Sequence, residues 1–305
     1  MEKVLAIVGP TAVGKTALSI ELAKKYHGEI ISGDSMQVYR GLDIGTAKVT
    51  AQEKQGIVHH LIDIRNIDER FSVADFVSLS QKLISEINRR GHLPIIVGGT
   101  GFYLNALLDG LTLGGDSYDQ NETVRNKWRE FAAQNGHEAL WQKLHKVDPE
   151  AAAKIPVSNE RRIIRALEVF ERTGKKISSQ EIKPDSRYDA LVIGLNTERE
   201  VLYNRINQRV DLMMKAGLEQ EARTLFTEGG FNFQAGKGIG YRELFPYFEG
   251  KAPLIDAVND IKLDSRHYAK RQLTWFRNKL DVNWFNLVQN PDEIQKIKET
   301  VADWL

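Results

Sequence analysis

Eight residues near the start of the chain, Gly9-Pro10-Thr11-Ala12-Val13-Gly14-Lys15-Thr16, have the types and spacing of a phosphate-binding loop. The glycines let backbone N–H groups turn inward, and a helix beginning there adds positive potential. Lys15 can reach phosphate oxygens, and the Thr16 hydroxyl can ligate Mg²⁺. An ordinary glycine turn would share this composition. The context favours the loop, because apolar residues 4–8 precede it as a buried strand and residues 16–26 follow with a helical period.

A second feature belongs to the same edge of the sheet. Asp34 follows the second strand in Ser32-Gly33-Asp34-Ser35, where a carboxylate could act as general base toward a phosphate ester or simply build a turn. The fourth apolar strand ends in Gly98-Gly99-Thr100-Gly101, where a P-loop ATPase would carry a metal-organising aspartate. That acid is missing.

The elements that must position these residues read as an α/β fold. Strand-like runs at 4–8, 29–32, 61–64, 94–97 and 190–195, the first four separated by room for crossover helices, predict a P-loop core on a parallel sheet. Residues 72–90 carry a helical period, with Ala74, Val77, Leu83, Ile84 and Ile87 on its apolar face. Between about 114 and 187 the strands stop, and Trp128, Phe131, Leu140, Trp141 and Leu144 recur at helical spacing. We therefore expect a helical insertion domain at 114–187, hinged at 114–116 and 183–185. The core is then 1–113 with 188–305, its C-terminal part mostly helical.

Composition narrows the functions open to such a fold. The 305 residues include no cysteine, which excludes disulfides, thiolate zinc sites and a cysteine nucleophile. Forty-two basic residues nearly cancel forty-one acidic ones, so nucleic-acid binding would need local clusters. No stretch approaches the ~20 apolar residues of a membrane span, and the apolar start is too short for a signal peptide, so a cytoplasmic protein is expected. Two basic clusters do occur. Arg161, Arg165 and Arg172 fall within about 40° on a helical wheel, opposite Ile163, Leu167 and Phe170. Arg266, Lys270 and Arg277 form a similar stripe across from Tyr268 and Trp275. A solvated helix face explains either stripe alone; together with Lys237 and Arg242 they suggest a phosphate-backbone footprint.

Five segments resemble the tRNA dimethylallyltransferase, or tRNA isopentenyltransferase, family of bacterial type. They are residues 9–16; Ser32-Gly33-Asp34-Ser35-Met36-Gln37-Val38-Tyr39-Arg40 and on through Lys48; His59-His60-Leu61-Ile62-Asp63; Gly98-Gly99-Thr100-Gly101-Phe102-Tyr103; and Lys270-Arg271-Gln272-Leu273-Thr274-Trp275-Phe276-Arg277. The resemblance spans essentially the whole chain. It departs at Val13, where many members have serine, and at Val49, where many have proline. With no cysteine in the sequence, a bacterial-type enzyme without the zinc-finger tail of eukaryotic members is expected.

The resemblance implies that residues 9–16 hold the diphosphate of dimethylallyl diphosphate with Mg²⁺ on Thr16, and that the acceptor is N6 of adenosine 37 beside the tRNA anticodon. Lys15, Asp34 and Thr100 would be catalytic, Asp34 accepting the N6 proton. The resemblance further implies tRNA contacts at Asp34, Ser35, Met36, Gln37, Thr100, Arg125, Arg161, Arg162, Arg165, Lys237, Arg242, Lys270, Arg271 and Arg277, with a monomer as the default. Two alternatives share the loop: an isopentenyltransferase acting on free adenine nucleotides, and a P-loop small-molecule kinase, which would bind and consume ATP.

Overall fold

The computed structural model describes residues 1–110, 122–179 and 187–305. The chain divides into two compact units, one of Met1–Asp109 with Ser186–Leu305 and the other of Gly110–Asp185. The hinge residues expected at 114–116 and 183–185 lie outside the described residues.

The first unit begins with strand β1 (Glu2–Val8), helix α1 (Lys15–Lys25) and strand β2 (Gly28–Ser32). A long irregular segment holding only the short helix α2 (Ala51–Lys54) leads to β3 (His59–His60). Helix α3 (Val73–Arg89), strand β4 (Leu93–Gly98) and helix α4 (Gly101–Leu108) complete this half. Helix α3 starts where the sequence suggests, because Ser72 and Asp75 form a reciprocal capping box.

The expected strand at 61–64 is corrected by the structure. Pairing with β2 stops at His60, since Leu61 and Asp63 take φ of 60° and 56°, left-handed values that cannot continue a ladder. The N–H groups of Ile64 and Arg65 bond instead to the Val38 carbonyl, and Lys48 Nζ donates to Asp63 at 2.5 Å.

In the second unit, helix α5 (Glu122–Val147) is broken at Gly136, and α6 (Pro149–Lys154) and α7 (Glu160–Thr173) follow. Trp128, Leu140, Leu144, Ile163 and Leu167 form its own core.

The chain returns to the first unit with β5 (Tyr188–Leu195), then α8 (Arg199–Lys215), α9 (Leu218–Thr227), α10 (Phe245–Phe248) and α11 (Leu254–Lys279). A short strand β6 (Asn283–Phe285), which the sequence reading missed, and α12 (Glu293–Trp304) close it.

The six strands among the described residues form one parallel sheet in the order β3-β2-β4-β1-β5-β6. Alternation along β1 sends Val4, Ala6 and Val8 to one apolar layer with Phe76, Ile84 and Leu104, and Leu5 and Ile7 to the other with Leu18, Leu22, Ile206 and Val301. Burial on both faces explains why the strand reads as an unbroken apolar run.

Candidate active site

The phosphate-binding loop leaves β1 at the C-terminal edge of the sheet. Gly14, at φ 95°, caps α1 without a side chain, and the first turn of the helix carries no acid. The N-terminal N–H groups of α1 are therefore not claimed by any capping side chain, which leaves them available to an anion. Lys15 Nζ folds back onto the Pro10 carbonyl oxygen at 2.5 Å. Burial, reinforced by the charge of Arg209 and opposed by that of Asp34, lowers the Lys15 ammonium to a pKa of about 7. Arg205 donates from Nε to the Ala12 carbonyl at 2.8 Å, so two arginines one turn apart on α8 flank the loop.

Asp34 comes to the same edge from β2. Gly33 N–H donates to the Val97 carbonyl at 2.8 Å, and a Cβ at Gly98 would collide with the Gly33 carbonyl, so the turn after β2 is pressed against the end of β4. Asp34 Oδ1 accepts the Met36 N–H at 2.8 Å, an Asx turn of the kind its sequence suggests. Burial raises the Asp34 carboxyl above the ordinary range, outweighing the backbone donors of Met36 and Gln37 and the charges of Lys15 and Arg209. The turn is therefore present, and burial makes the same carboxylate bind a proton more readily than a solvated aspartate.

Thr100 meets the turn that carries Asp34, its Oγ1 accepting the Ser35 N–H at 3.3 Å. Helix α11 backs this pair. Gln272 Nε2 donates to the Gly99 carbonyl at 2.8 Å, and the Tyr268 hydroxyl shares hydrogen bonds with Thr100 and Gln272, its pKa pushed up to about 12 mainly by burial. Trp275 stands edge-on to the half-exposed Phe102, ring centroids 6.0 Å apart.

The structure therefore gathers Lys15, Thr16, Asp34 and Thr100 at one sheet edge, with a cationic loop on one side and a carboxylate with hydroxyls on the other. Sequence reasoning missed Arg205, Arg209 and Gln272 as part of this site and placed Tyr268 only as the apolar face of a stripe. The i, i+4 spacing of Arg205 and Arg209 was the available signal. Among the described residues, no group of three or more His, Cys, Asp or Glu side chains could hold a metal ion. A loop hydroxyl such as Thr16 fits an ion held mainly by substrate phosphates and water.

The other expected tRNA contacts fall into distinct settings. Ser35 and Met36 are half-buried in the Asp34 turn, and the Gln37 amide accepts from Ser32 Oγ at 3.0 Å and donates to the Thr46 carbonyl at 3.2 Å. Lys237 is exposed, whereas Arg242 is held by Glu243 at 2.7 Å and Asp264 at 2.5 Å. Lys270, Arg271 and Arg277 are exposed on α11; the first two, with Thr274, Trp275 and Lys279, line an open pocket of about 650 Å³.

In the second unit Arg161 and Arg162 are exposed. Arg125, Arg165 and Arg172 instead converge on the buried Glu168 at 3.1, 3.0 and 4.0 Å. That acid sits within the stripe read from the sequence, so two of the stripe's three arginines serve a structural ion cluster.

Comparison with known proteins adds the decisive finding. The family described as IPP transferase matches residues 37–279. The chain belongs to this family. It is 60% identical to the tRNA dimethylallyltransferase of Limosilactobacillus reuteri over 100% of this chain and 99% of that one. The counterpart from Enterococcus faecalis is 54% identical over 100% and 98%.

Among solved IPP transferase relatives, the tRNA isopentenylpyrophosphate transferase of Bacillus halodurans is similar at 50% identity and a TM-score of 0.76, covering 100% of this chain and 97% of that one. A eukaryotic dimethylallyltransferase acting on tRNA is similar at 31% identity and a TM-score of 0.82, covering 98% of this chain and 78% of that one.

Proposed function

We propose that the protein transfers the dimethylallyl group of dimethylallyl diphosphate to N6 of adenosine 37 in tRNA, releasing diphosphate. The observation that carries this reading is the meeting of the phosphate-binding loop with Asp34 and Thr100 at one sheet edge, in a chain whose full-length relatives are tRNA dimethylallyltransferases. Those relatives favour this activity over a kinase or a free-nucleotide prenyltransferase.

An exocyclic adenine amine is a weak nucleophile, so the rate must come from loosening the allylic C–O bond. The N–H groups of the loop and of the first turn of α1, together with Lys15, Arg205 and Arg209, would neutralise the charge on the departing diphosphate. Mg²⁺, held by Thr16 and the phosphates, would supply further charge neutralisation. As the C–O bond breaks and the C–N bond forms, the amine proton becomes acidic and passes to Asp34, which burial makes a stronger base than a solvated carboxylate. Thr100, hydrogen-bonded to the Asp34 turn, and Tyr268, within electrostatic reach of the carboxylate, would orient the amine.

The target base must leave the anticodon-loop stack to reach this edge, and exposed Lys237, Lys270, Arg271 and Arg277 would grip the backbone of the anticodon stem-loop. We read the protein as a cytoplasmic monomer; no helix among the described residues is long and apolar enough to cross a membrane. Incubation with labelled dimethylallyl diphosphate and either tRNA or AMP tests the reading, which requires label in tRNA alone and no consumption of ATP.

A further inference from the structure

Glu221, on α9, lies outside every segment that the function has absorbed, yet its carboxylate is the most heavily engaged acceptor near the Asp34 turn. Oε2 accepts the backbone N–H groups of Asp43 at 2.7 Å and Ile44 at 2.9 Å. Oε1 accepts that of Gly45 at 2.9 Å and the Tyr241 hydroxyl at 2.7 Å. Three successive N–H groups closing on one carboxylate form a nest that only an anion fills well. The fit is tight, because a Cβ on Gly45 would run into the ring and hydroxyl of the fully buried Tyr241.

The nest is joined to two segments expected to touch tRNA. On one side, the carbonyls of Thr46 and Ala47 accept from Gln37 Nε2 at 3.2 and 3.5 Å, and the Gln37 and Met36 N–H groups donate to Asp34. On the other, Tyr241 belongs to residues 237–242, and Met36 lies against Gly238 of the same stretch. One carboxylate therefore fastens the Asp34 turn to the 237–242 segment.

We propose that Glu221 is a positioning residue that holds these two segments in the register tRNA requires. This rests on the proposed function. Glu221→Gln keeps the size but turns an amide donor toward N–H donors, so the nest must open. Glu221→Asp keeps the charge one methylene short and should recover part of the loss. Tyr241→Phe removes one bond and leaves the three backbone bonds.

The test combines steady-state kinetics, tRNA binding and amide hydrogen exchange on full-length protein. For Glu221→Gln we expect tRNA affinity to fall about ten-fold, in line with the loss of charge-assisted hydrogen bonds. KM for dimethylallyl diphosphate should stay within about three-fold of wild type, a change worth less than one such bond. Exchange should quicken across residues 34–48 and not in β1. Tyr241→Phe should shift tRNA affinity in the same direction by less. Unchanged tRNA affinity would overturn the proposal, as would equal losses in both substrates with exchange raised throughout the unit. Wild-type protein is the control: if it fails to prenylate tRNA, the assigned function falls, and the exchange pattern of Glu221→Gln still confirms or refutes the fastening of the turn.

Discussion

Asp34→Asn keeps the shape of the side chain and an oxygen able to accept the Met36 N–H now 2.8 Å away, so the turn that presents Ser35, Met36 and Gln37 should survive. What it removes is the proposed proton acceptance, and loss of a positioned general base costs about 10²–10⁴-fold in rate, or about 3–5 kcal/mol in the barrier. Single-turnover transfer with enzyme in excess over tRNA reads this directly. The wild-type rate should fall on the acid side as Asp34 protonates, at a pH above that of a solvated aspartate, and that limb should be missing from the variant.

Stability should move the other way. The folded carboxyl titrates above its ordinary 3.8, so the fold favours the protonated form, and Asp34's contribution to stability is lost as pH rises through the raised pKa. Asp34→Asn should therefore melt higher than wild type at pH 7, with the gain vanishing below about pH 4. Near-normal single-turnover transfer would refute the assignment, as would a rate loss wholly accounted for by weaker tRNA binding.

Lys15→Ala should weaken binding of dimethylallyl diphosphate and slow turnover while leaving tRNA affinity nearly intact, as filter binding would show. Lys270→Gln on the exposed face of α11 should reduce the slope of log affinity for tRNA against log salt by about one unit, whereas Arg165→Gln, drawn from the Glu168 cluster, should chiefly lower melting temperature. Glu29, buried at the opposite edge of the sheet, accepts from His60 at 2.7 Å and from Arg90 and His92 at 2.8 Å, which hold its carboxyl down to about 2 against the cost of burial. Glu29→Gln should cost about 3 kcal/mol in urea unfolding without changing kcat, and the wild-type stability this residue provides should be lost as pH falls from about 4.5 toward 2.

Local chemistry made much of this legible in the sequence. The loop after β1, the strands at β1, β2, β4 and β5 and the capped helix at Ser72 depend on contiguous residues, and each stands where its pattern put it. The run at 61–64 misled because apolar composition says nothing of the Lys48 ammonium that turns Asp63 away from the ladder. Strand β6 was invisible, since its three residues are fixed by pairing with β5 and not by their own period. The basic stripe on α7 was read by charge alone, whereas the buried Glu168 between its arginines appears only once α5 packs against it and brings Arg125 near. The i, i+4 spacing of Arg205 and Arg209 puts both on one face of α8, but that this face meets the loop depends on a long-range approach their spacing does not encode.

In the proposed reaction, the diphosphate site at the loop and the carboxylate site at Asp34 serve one transfer to adenosine 37. An anticodon stem-loop carrying adenosine at position 37, incubated with labelled dimethylallyl diphosphate and then digested to nucleosides, tests it most directly. Stoichiometric label is expected on N6 of that adenosine, none when guanosine replaces it, and none in Lys15→Ala or Asp34→Asn over the wild-type time course. Label at another position, label in AMP but not in the stem-loop, or full labelling by either variant would contradict it.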